Sequence, residues 1–160
     1  RSAVTICASK PATDLPRIIP SEGMPQITSS VSVAAPGVVA GVKITGLDVR
    51  HTWVGDLRAT LISPAGTAVV LFDRLGVPGT QFGCSGDNLL LSFDDLALNT
   101  ALQLENTCST PPPAASGTFQ PIDPLSALIG QPASGEWTLR VNDFVNQDGG
   151  HHRTSAGGSI

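Results

Sequence analysis

The chain has 160 residues, of which 41% are hydrophobic and 14% are charged, so it can form one folded domain with one core. The formal net charge is −4, and the nine Lys and Arg residues are spread along the chain, which excludes the basic stripe of a nucleic-acid-binding protein. No apolar run approaches the roughly 20 residues that span a bilayer, so no membrane span is expected.

The first 26 residues are predicted to be irregular, because four prolines interrupt any regular element. Within this arm, residues 17–20 are expected to be extended and to lie on the surface. Alternation of apolar and polar residues begins at Ile27 and predicts a half-buried strand over residues 27–33. After a Pro-Gly turn, residues 38–49 predict a longer strand region with glycines at its bends.

The most informative block runs from residue 47 to residue 57 and predicts a strand with two different faces. One face carries Leu47, Val49, His51 and Trp53, and the other carries Asp48, Arg50 and Thr52. The pair Gly55-Asp56 ends this strand. Residues 57–62 and 67–72 predict a hairpin, because the Ser-Pro-Ala-Gly sequence between them is typical of a tight turn.

The second half of the chain also predicts short strands separated by loops. Residues 89–93 and 135–143 read as strands, whereas residues 107–117 contain three consecutive prolines and read as a loop. Residues 118–121 predict a short edge piece, and residues 124–130 predict one helical turn. No segment sustains a helical apolar period over ten or more positions. The sequence therefore predicts an all-β protein, most simply a single-domain sandwich.

The cysteine count is odd, because Cys7, Cys84 and Cys108 are the only three. Their spacing lacks the close pairs of a zinc site. Cys84 and Cys108 flank one stretch and could close it, which would contribute about 3 kcal/mol in the chain-entropy model and would imply an oxidising compartment. The alternative is two buried free thiols.

Catalysis within the chain is not expected. The three histidines are His51, His151 and His152, and the sequence has neither a Gly-x-Ser-x-Gly elbow nor a subtilisin-type nucleophile segment. A triad of His51, Asp56 and a distant serine can be imagined. Because His51 shares an apolar strand face with Trp53, we expect a hydrogen-bonded structural histidine instead.

Calcium is the more serious candidate ligand, since acidic residues concentrate at strand ends and in glycine-rich loops, where oxygen ligands can converge. The predicted ligands are Asp56, Asp94 and Asp95 first, then Asp48 and Asp87, with Asn88 and Asp143 nearby in the pattern. The adjacent charges of Asp94 and Asp95 repel, and a cation, or an arginine such as Arg50 or Arg58, would relieve that repulsion. The alternative is ordinary turn chemistry, in which Asp and Asn bond to their own backbone.

Carbohydrate binding is a competing function for a small β-sandwich. Such modules present flat aromatic side chains to sugar rings, but this chain has no tyrosine and two tryptophans. Trp53 and Trp137 both lie in alternating strand patterns, which favours core packing.

An ordered series of short motifs runs along the chain: Ile-Pro (19–20), His-Thr-Trp-Val-Gly-Asp-Leu (51–57), Leu-Ile-Ser-Pro-Ala-Gly-Thr (61–67), Cys-Ser-Gly-Asp-Asn (84–88), Phe-Asp-Asp (93–95), Gly-Thr-Phe (117–119), Pro-Leu-Ser-Ala (124–127) and Gly-Glu-Trp-Thr-Leu (135–139). In this series the chain resembles the P domain (Homo B domain) of proprotein convertases, kexin-like proteases and bacterial subtilisin-like proteases. The order and spacing agree from about residue 19 to residue 149.

The resemblance implies a jelly-roll-like β-sandwich over residues 19–149, preceded by an arm or linker over residues 1–18. It also implies a non-catalytic accessory domain that packs against a secreted serine endopeptidase domain in cis and stabilises it. The alternative is an independent secreted module for adhesion or for binding protein or carbohydrate. A packing domain is expected to expose an apolar patch.

The tail over residues 150–160 departs from the family. The family usually ends with a strand that carries a leucine and an aromatic residue, whereas this tail has almost no apolar alternation and is expected to supply no strand. In some bacterial members an early cysteine pairs within that last strand, which would leave Cys7 without its partner. A truncation, an appended tail and a shifted reading frame are the open explanations.

Overall fold

The computed structural model describes residues 9–14, 17–20, 23–145 and 155–159. The strands are β1 (Arg17–Ile18), β2 (Gln26–Val33), β3 (Ile44–Val49), β4 (Leu57–Ile62), β5 (Ala68–Asp73), β6 (Leu89–Phe93), β7 (Ala115–Phe119), β8 (Gly135–Asp143) and β9 (Ser155–Ser159). Short helical segments are η1 (Val54–Asp56), α1 (Ala101–Glu105) and η2 (Leu125–Leu128). The prediction of a single all-β domain is confirmed. The jelly-roll connectivity stays a prediction, as do the domain boundaries.

The strands form two sheets. Sheet A has five strands in the order β1-β9-β3-β6-β7, and sheet B has four strands in the order β2-β8-β4-β5. Neighbouring strands run antiparallel except for β6 and β7, which are parallel. Among the described residues, no helix is long and apolar enough to cross a membrane.

The core lies between the two sheets, and strands β3 to β8 contribute buried apolar residues to it. Ala59 and Leu61 on β4 and Leu89 and Leu91 on β6 are essentially inaccessible to solvent. Phe72 and Phe93 bring the sheets together, with ring centroids 6.3 Å apart. The expected surface arm is partly wrong, since Ile19 is only 1% exposed and belongs to this core.

Helix α1 is an element that the sequence pattern missed. Thr100 caps it, accepting a hydrogen bond from the Gln103 N–H, and the Gln103 side chain accepts one from the Thr100 N–H in return. This capping box is a recognisable sequence signal. Five residues are too few to show an apolar period, which is why the pattern gave no helix here.

The tail contains a strand as well. Ser155–Ser159 forms β9, which pairs with β3 on one side and with β1 on the other. The expectation that residues 150–160 supply no strand is therefore wrong for these five residues. Strand pairing is made by backbone hydrogen bonds, so a segment of serine, alanine and glycine can pair without apolar alternation. Cys7, His151 and His152 lie outside the described residues.

Candidate functional site

A buried histidine–carboxylate pair lies where β3 and β8 end. His51 is 0% exposed, and its Nε2 is 3.3 Å from Oδ2 of Asp143, which is 2% exposed. His51 Nδ1 lies 3.0 Å from the Trp53 carbonyl oxygen and 3.2 Å from the Trp53 backbone nitrogen, so it can donate to the first or accept from the second, according to the tautomer of the ring. The other carboxylate oxygen of Asp143 accepts the Val145 N–H. Both ring nitrogens are therefore engaged in structural contacts, as expected for a structural histidine.

The backbone around His51 is held from the β6 side. The Asn88 side-chain oxygen accepts the His51 N–H at 3.0 Å, and the Asn88 N–H donates to the His51 carbonyl at 2.9 Å. Asn88 has a φ of 65°, a left-handed conformation that asparagine tolerates better than most residues. These bonds fix the chain that leads into η1.

The loop from Leu75 to Gly86 packs against η1. The Gly55 N–H donates to the Cys84 carbonyl at 2.9 Å, and the Trp53 indole N–H donates to the Phe82 carbonyl at 2.7 Å. Cys84 is bonded to Cys108 with a Cα–Cα distance of 5.7 Å, across a sequence separation of 24. Hydrogen bonds and the disulfide therefore hold this loop to the rest of the domain.

The predicted calcium ligands make separate contacts with other groups. Asp94 lies 3.2 Å from the Lys43 ammonium and accepts the Leu96 N–H. Asp95 accepts the N–H groups of Leu125 and Ser126 at 2.8 Å each, which caps η2. The cation beside Asp94 is thus Lys43, whereas the predicted Arg50 and Arg58 pair with other carboxylates.

The remaining predicted ligands lie on β3, in η1 and in the loop before β6. Asp48 pairs with Arg50, and Asp56 is buried in η1 at 3% exposure. The backbone carbonyl of Asp87 accepts a hydrogen bond from the Ala114 N–H. Within the described ranges, no three His, Cys, Asp or Glu side chains lie close enough to hold one metal ion. Calcium also takes backbone carbonyl and amide oxygens, so the calcium ligands named from the sequence stay predictions.

Asp94 is expected to make stability pH-dependent. The Leu96 N–H, followed by Lys43, holds the pKa of the Asp94 carboxyl below its ordinary value. A depressed folded pKa stabilises the fold above the unfolded pKa of about 3.9, and this contribution is lost as the pH falls through the folded pKa. Asp94→Asn should therefore lower the unfolding free energy by about 0.5–1 kcal/mol at pH 7, measured by urea unfolding.

The difference between Asp94→Asn and the unsubstituted chain should close as the pH falls below about 3.9. Lys43→Gln is the matched control and should have a smaller effect, because the Leu96 N–H is the larger cause of the lowered pKa. An effect of Asp94→Asn that stays constant between pH 7 and pH 3 would contradict this assignment.

The segment that follows Asp94 exposes three leucines. Leu96, Leu98 and Leu102 are 85%, 96% and 69% exposed, and we refer to them as the leucine surface. The backbone beneath them is held by hydrogen bonds: the Gln120 side chain donates to the Ala97 carbonyl, and the Gln120 N–H donates to the Asn99 carbonyl. The leucines are therefore presented by a supported segment. Because three large apolar side chains are exposed within residues 96–102, this segment is a candidate interaction site.

The tryptophans do not form an aromatic platform together. Trp137 is 5% exposed and lies in the core, with its indole N–H donating to the Ala133 carbonyl. Trp53 is half-buried and donates to Phe82, as described above. A buried ring cannot stack on a sugar, so Trp137 does not favour carbohydrate binding.

The structure thus defines a disulfide-linked, two-sheet β-domain with a buried His–Asp pair and an exposed leucine surface. The family model that describes the proprotein convertase P-domain matches residues 41–82 of the chain. This segment contains His51, η1 and the β4–β5 hairpin, so the resemblance stated from the motifs is confirmed.

Two known proteins resemble the chain over a longer range. The "Calcium-dependent protease" of Trichormus variabilis (strain ATCC 29413 / PCC 7937) is 28% identical over 128 residues, which cover 78% of this chain and 14% of that protein. The crystal structure of a serine protease of Aeromonas sobria superposes with a TM-score of 0.48 and 18% identity, covering 90% of this chain and 23% of that one. The chain therefore spans less than a quarter of the length of either protein.

Proposed function

We propose that this chain is a non-catalytic accessory domain of a secreted serine endopeptidase, and that it packs against the protease domain in cis and stabilises it. The P-domain match and the printed name of the Trichormus variabilis relative support the link to proteases. The single observation that carries the packing role is the leucine surface, whose three side chains are at least 69% exposed. A disulfide between Cys84 and Cys108 is in keeping with secretion.

Burial of the leucine surface is the proposed mechanism. Fully burying one leucine side chain contributes about 1.5–3 kcal/mol relative to leaving it exposed. A covalent link between the two domains gives a high effective concentration, so a small interface is enough to keep them docked. The docked state then stabilises the folded protease domain, because it is available only when both domains are folded.

Calcium binding through Asp56, Asp94, Asp95, Asp48 and Asp87 stays a prediction. The printed name of the Trichormus variabilis relative supports it for that protein. The pairing of Asp94 with Lys43 and the capping role of Asp95 argue against a site formed by these side chains in the described structure. No step of the proposed function depends on a metal.

The test replaces residues of the leucine surface in the protein that the complete gene encodes and measures how fast its peptidase activity is lost. Leu96→Ser with Leu98→Ser should shorten the half-life of peptidase activity at elevated temperature severalfold, because two docking side chains are lost. Initial kcat at 25 °C should stay within about twofold, since no residue of this domain contributes to the chemistry.

The control replaces two exposed apolar residues outside the leucine surface, Val38→Ser with Ile129→Ser, which are 63% and 52% exposed. This variant should inactivate at the rate of the unsubstituted protein. Equal half-lives for the unsubstituted protein, the double leucine variant and the control variant would contradict the packing role. If the complete gene encodes no peptidase domain, the alternative function is favoured, namely an independent module for adhesion or ligand binding.

A further inference from the structure

Strand β2 forms one edge of sheet B and pairs with β8 over eight consecutive residues without a bulge. Alternate residues of an antiparallel edge strand turn their backbone N–H and C=O groups away from the neighbouring strand. In β2 these are residues 26, 28, 30 and 32, because the Ser30 N–H bonds to a group outside the sheet. Such an outward row of backbone groups is a template on which another strand can pair.

The sequence of β2 offers little protection of this edge. Proteins commonly blunt a sheet edge with charged residues, prolines or bulges, but Gln-Ile-Thr-Ser-Ser-Val-Ser-Val has none of these. At the opposite edge, β5 is covered by the chain itself: the Asp123 carboxylate accepts the Val70 N–H at 2.9 Å, and the Ile122 N–H donates to the Leu71 carbonyl. The β2 edge therefore depends on a covering group from another part of the chain.

Asp14 of the N-terminal arm supplies that group. Its Oδ1 accepts the Ser29 hydroxyl at 2.6 Å, and its Oδ2 accepts the Ser30 N–H at 3.2 Å and the Arg17 guanidinium at 3.0 Å. We call the contact between Asp14 and β2 the Asp14 latch. The carboxylate takes the place that a backbone carbonyl of an added strand would occupy at Ser30.

The Asp14 latch covers the edge at one point. Of the described arm residues 9–14, Asp14 alone hydrogen-bonds to β2, and its side chain is 27% exposed. Thr28 and Ser32 lie on either side of Ser30 along the edge, and both are exposed. Within the described residues, nothing hydrogen-bonds to the outward backbone groups of Thr28 and Ser32. Loss of one carboxylate would therefore open the whole edge.

We propose that the β2 edge pairs with the β2 edge of a second copy of this chain, and that the Asp14 latch keeps the edge closed in the monomer. Antiparallel pairing about a twofold axis at Ser29 places residue 26 opposite residue 32 and residue 28 opposite residue 30, so outward groups meet outward groups. Because β2 carries no charge, nothing in the strand repels an identical strand. This edge is separate from the leucine surface, so the inference does not rest on the proposed packing role.

The first test measures sedimentation velocity over a wide range of concentration, with Cys7→Ser in every chain so that a disulfide through Cys7 cannot link two copies. Asp14→Ala should convert the monomer into a concentration-dependent dimer. Each copy must release its latch before it pairs, so the substitution should lower the dimer Kd by about tenfold or more. Asp48→Ala, which breaks an exposed ion pair on β3, is the control and should stay monomeric. A monomeric Asp14→Ala variant would overturn the proposal and leave the arm as the occupant of this edge.

The second test separates edge pairing from nonspecific association. Thr28 lies opposite Arg140 of β8, so Thr28→Glu should be accommodated in the folded chain. Across the twofold axis the two introduced carboxylates would lie on diagonal positions and repel each other, so Asp14→Ala/Thr28→Glu should be monomeric again. In hydrogen exchange, the Thr28 and Ser32 amides should be protected in the Asp14→Ala dimer and exchange freely in the monomer. A dimer that persists with Thr28→Glu, or that leaves these amides unprotected, would contradict the proposal.

Discussion

Replacing His51 with leucine should lower the free energy of unfolding by about 3 kcal/mol or more, because the Asp143 carboxylate would be left buried without its imidazole partner. His51 is 0% exposed, and Asp143 is 2% exposed, so solvent cannot take the place of the lost ring. The measurement is urea unfolding at pH 7. The double variant His51→Leu/Asp143→Leu should recover part of the lost free energy of unfolding, since it also removes the carboxylate that the imidazole contacts.

The matched control is Asp48→Ala, which breaks the exposed ion pair between Asp48 and Arg50. That pair is 42–59% exposed, and exposed pairs contribute about 0–1 kcal/mol, so the control should change stability little. If His51→Leu and Asp48→Ala cost the same, the buried pair would have no special role in holding β3 against β8.

Gly55→Ala should be the other strongly destabilising change, costing about 3 kcal/mol. A Cβ on Gly55 would lie 2.5 Å from the Cys84 backbone nitrogen and 2.8 Å from the Phe82 carbonyl oxygen. Both atoms belong to backbone that the disulfide and hydrogen bonds hold in place, so the loop must shift to accept a methyl group. Thermal unfolding followed by circular dichroism measures the effect.

Gly41→Ala is the control for this substitution, because a Cβ there would meet no atom within 4 Å and the backbone does not require glycine. Its melting temperature should equal or slightly exceed that of the unsubstituted chain. A Gly55→Ala variant as stable as Gly41→Ala would mean that the loop is not packed on η1 as described.

The strands with clear apolar alternation could be predicted from sequence. Gln26–Val33, Leu57–Ile62, Leu89–Phe93 and Gly135–Asp143 lie within one residue of their predicted positions, because each has one face in the core. Strand β7 begins within the predicted loop, since its small residues pair through backbone atoms with β6. A strand that is held by backbone pairing, or a short helix that is held by one cap, shows little periodicity of apolar residues in its sequence. Such segments are therefore hard to predict.

The candidate site was less predictable, because it depends on contacts between distant residues. A structural role for His51 follows from the predicted apolar strand face, although β3 ends at Val49 and His51 lies just beyond it. Its partner Asp143 is 92 positions away along the chain. Leu96, Leu98 and Leu102 lie among both polar and apolar residues in the sequence. This pattern does not predict that the three side chains are exposed. Likewise, the cover that Asp14 gives to the β2 edge is a property of the folded sheet.

The central claim is that this domain is covalently attached to the protease domain it serves. Peptide mapping by mass spectrometry of the purified natural protein tests this directly, provided that peptides are matched to the complete coding sequence. The account predicts that peptides of a serine protease domain and peptides of residues 19–145 come from one mature polypeptide. A mature polypeptide that contains this domain but no peptidase domain would contradict it.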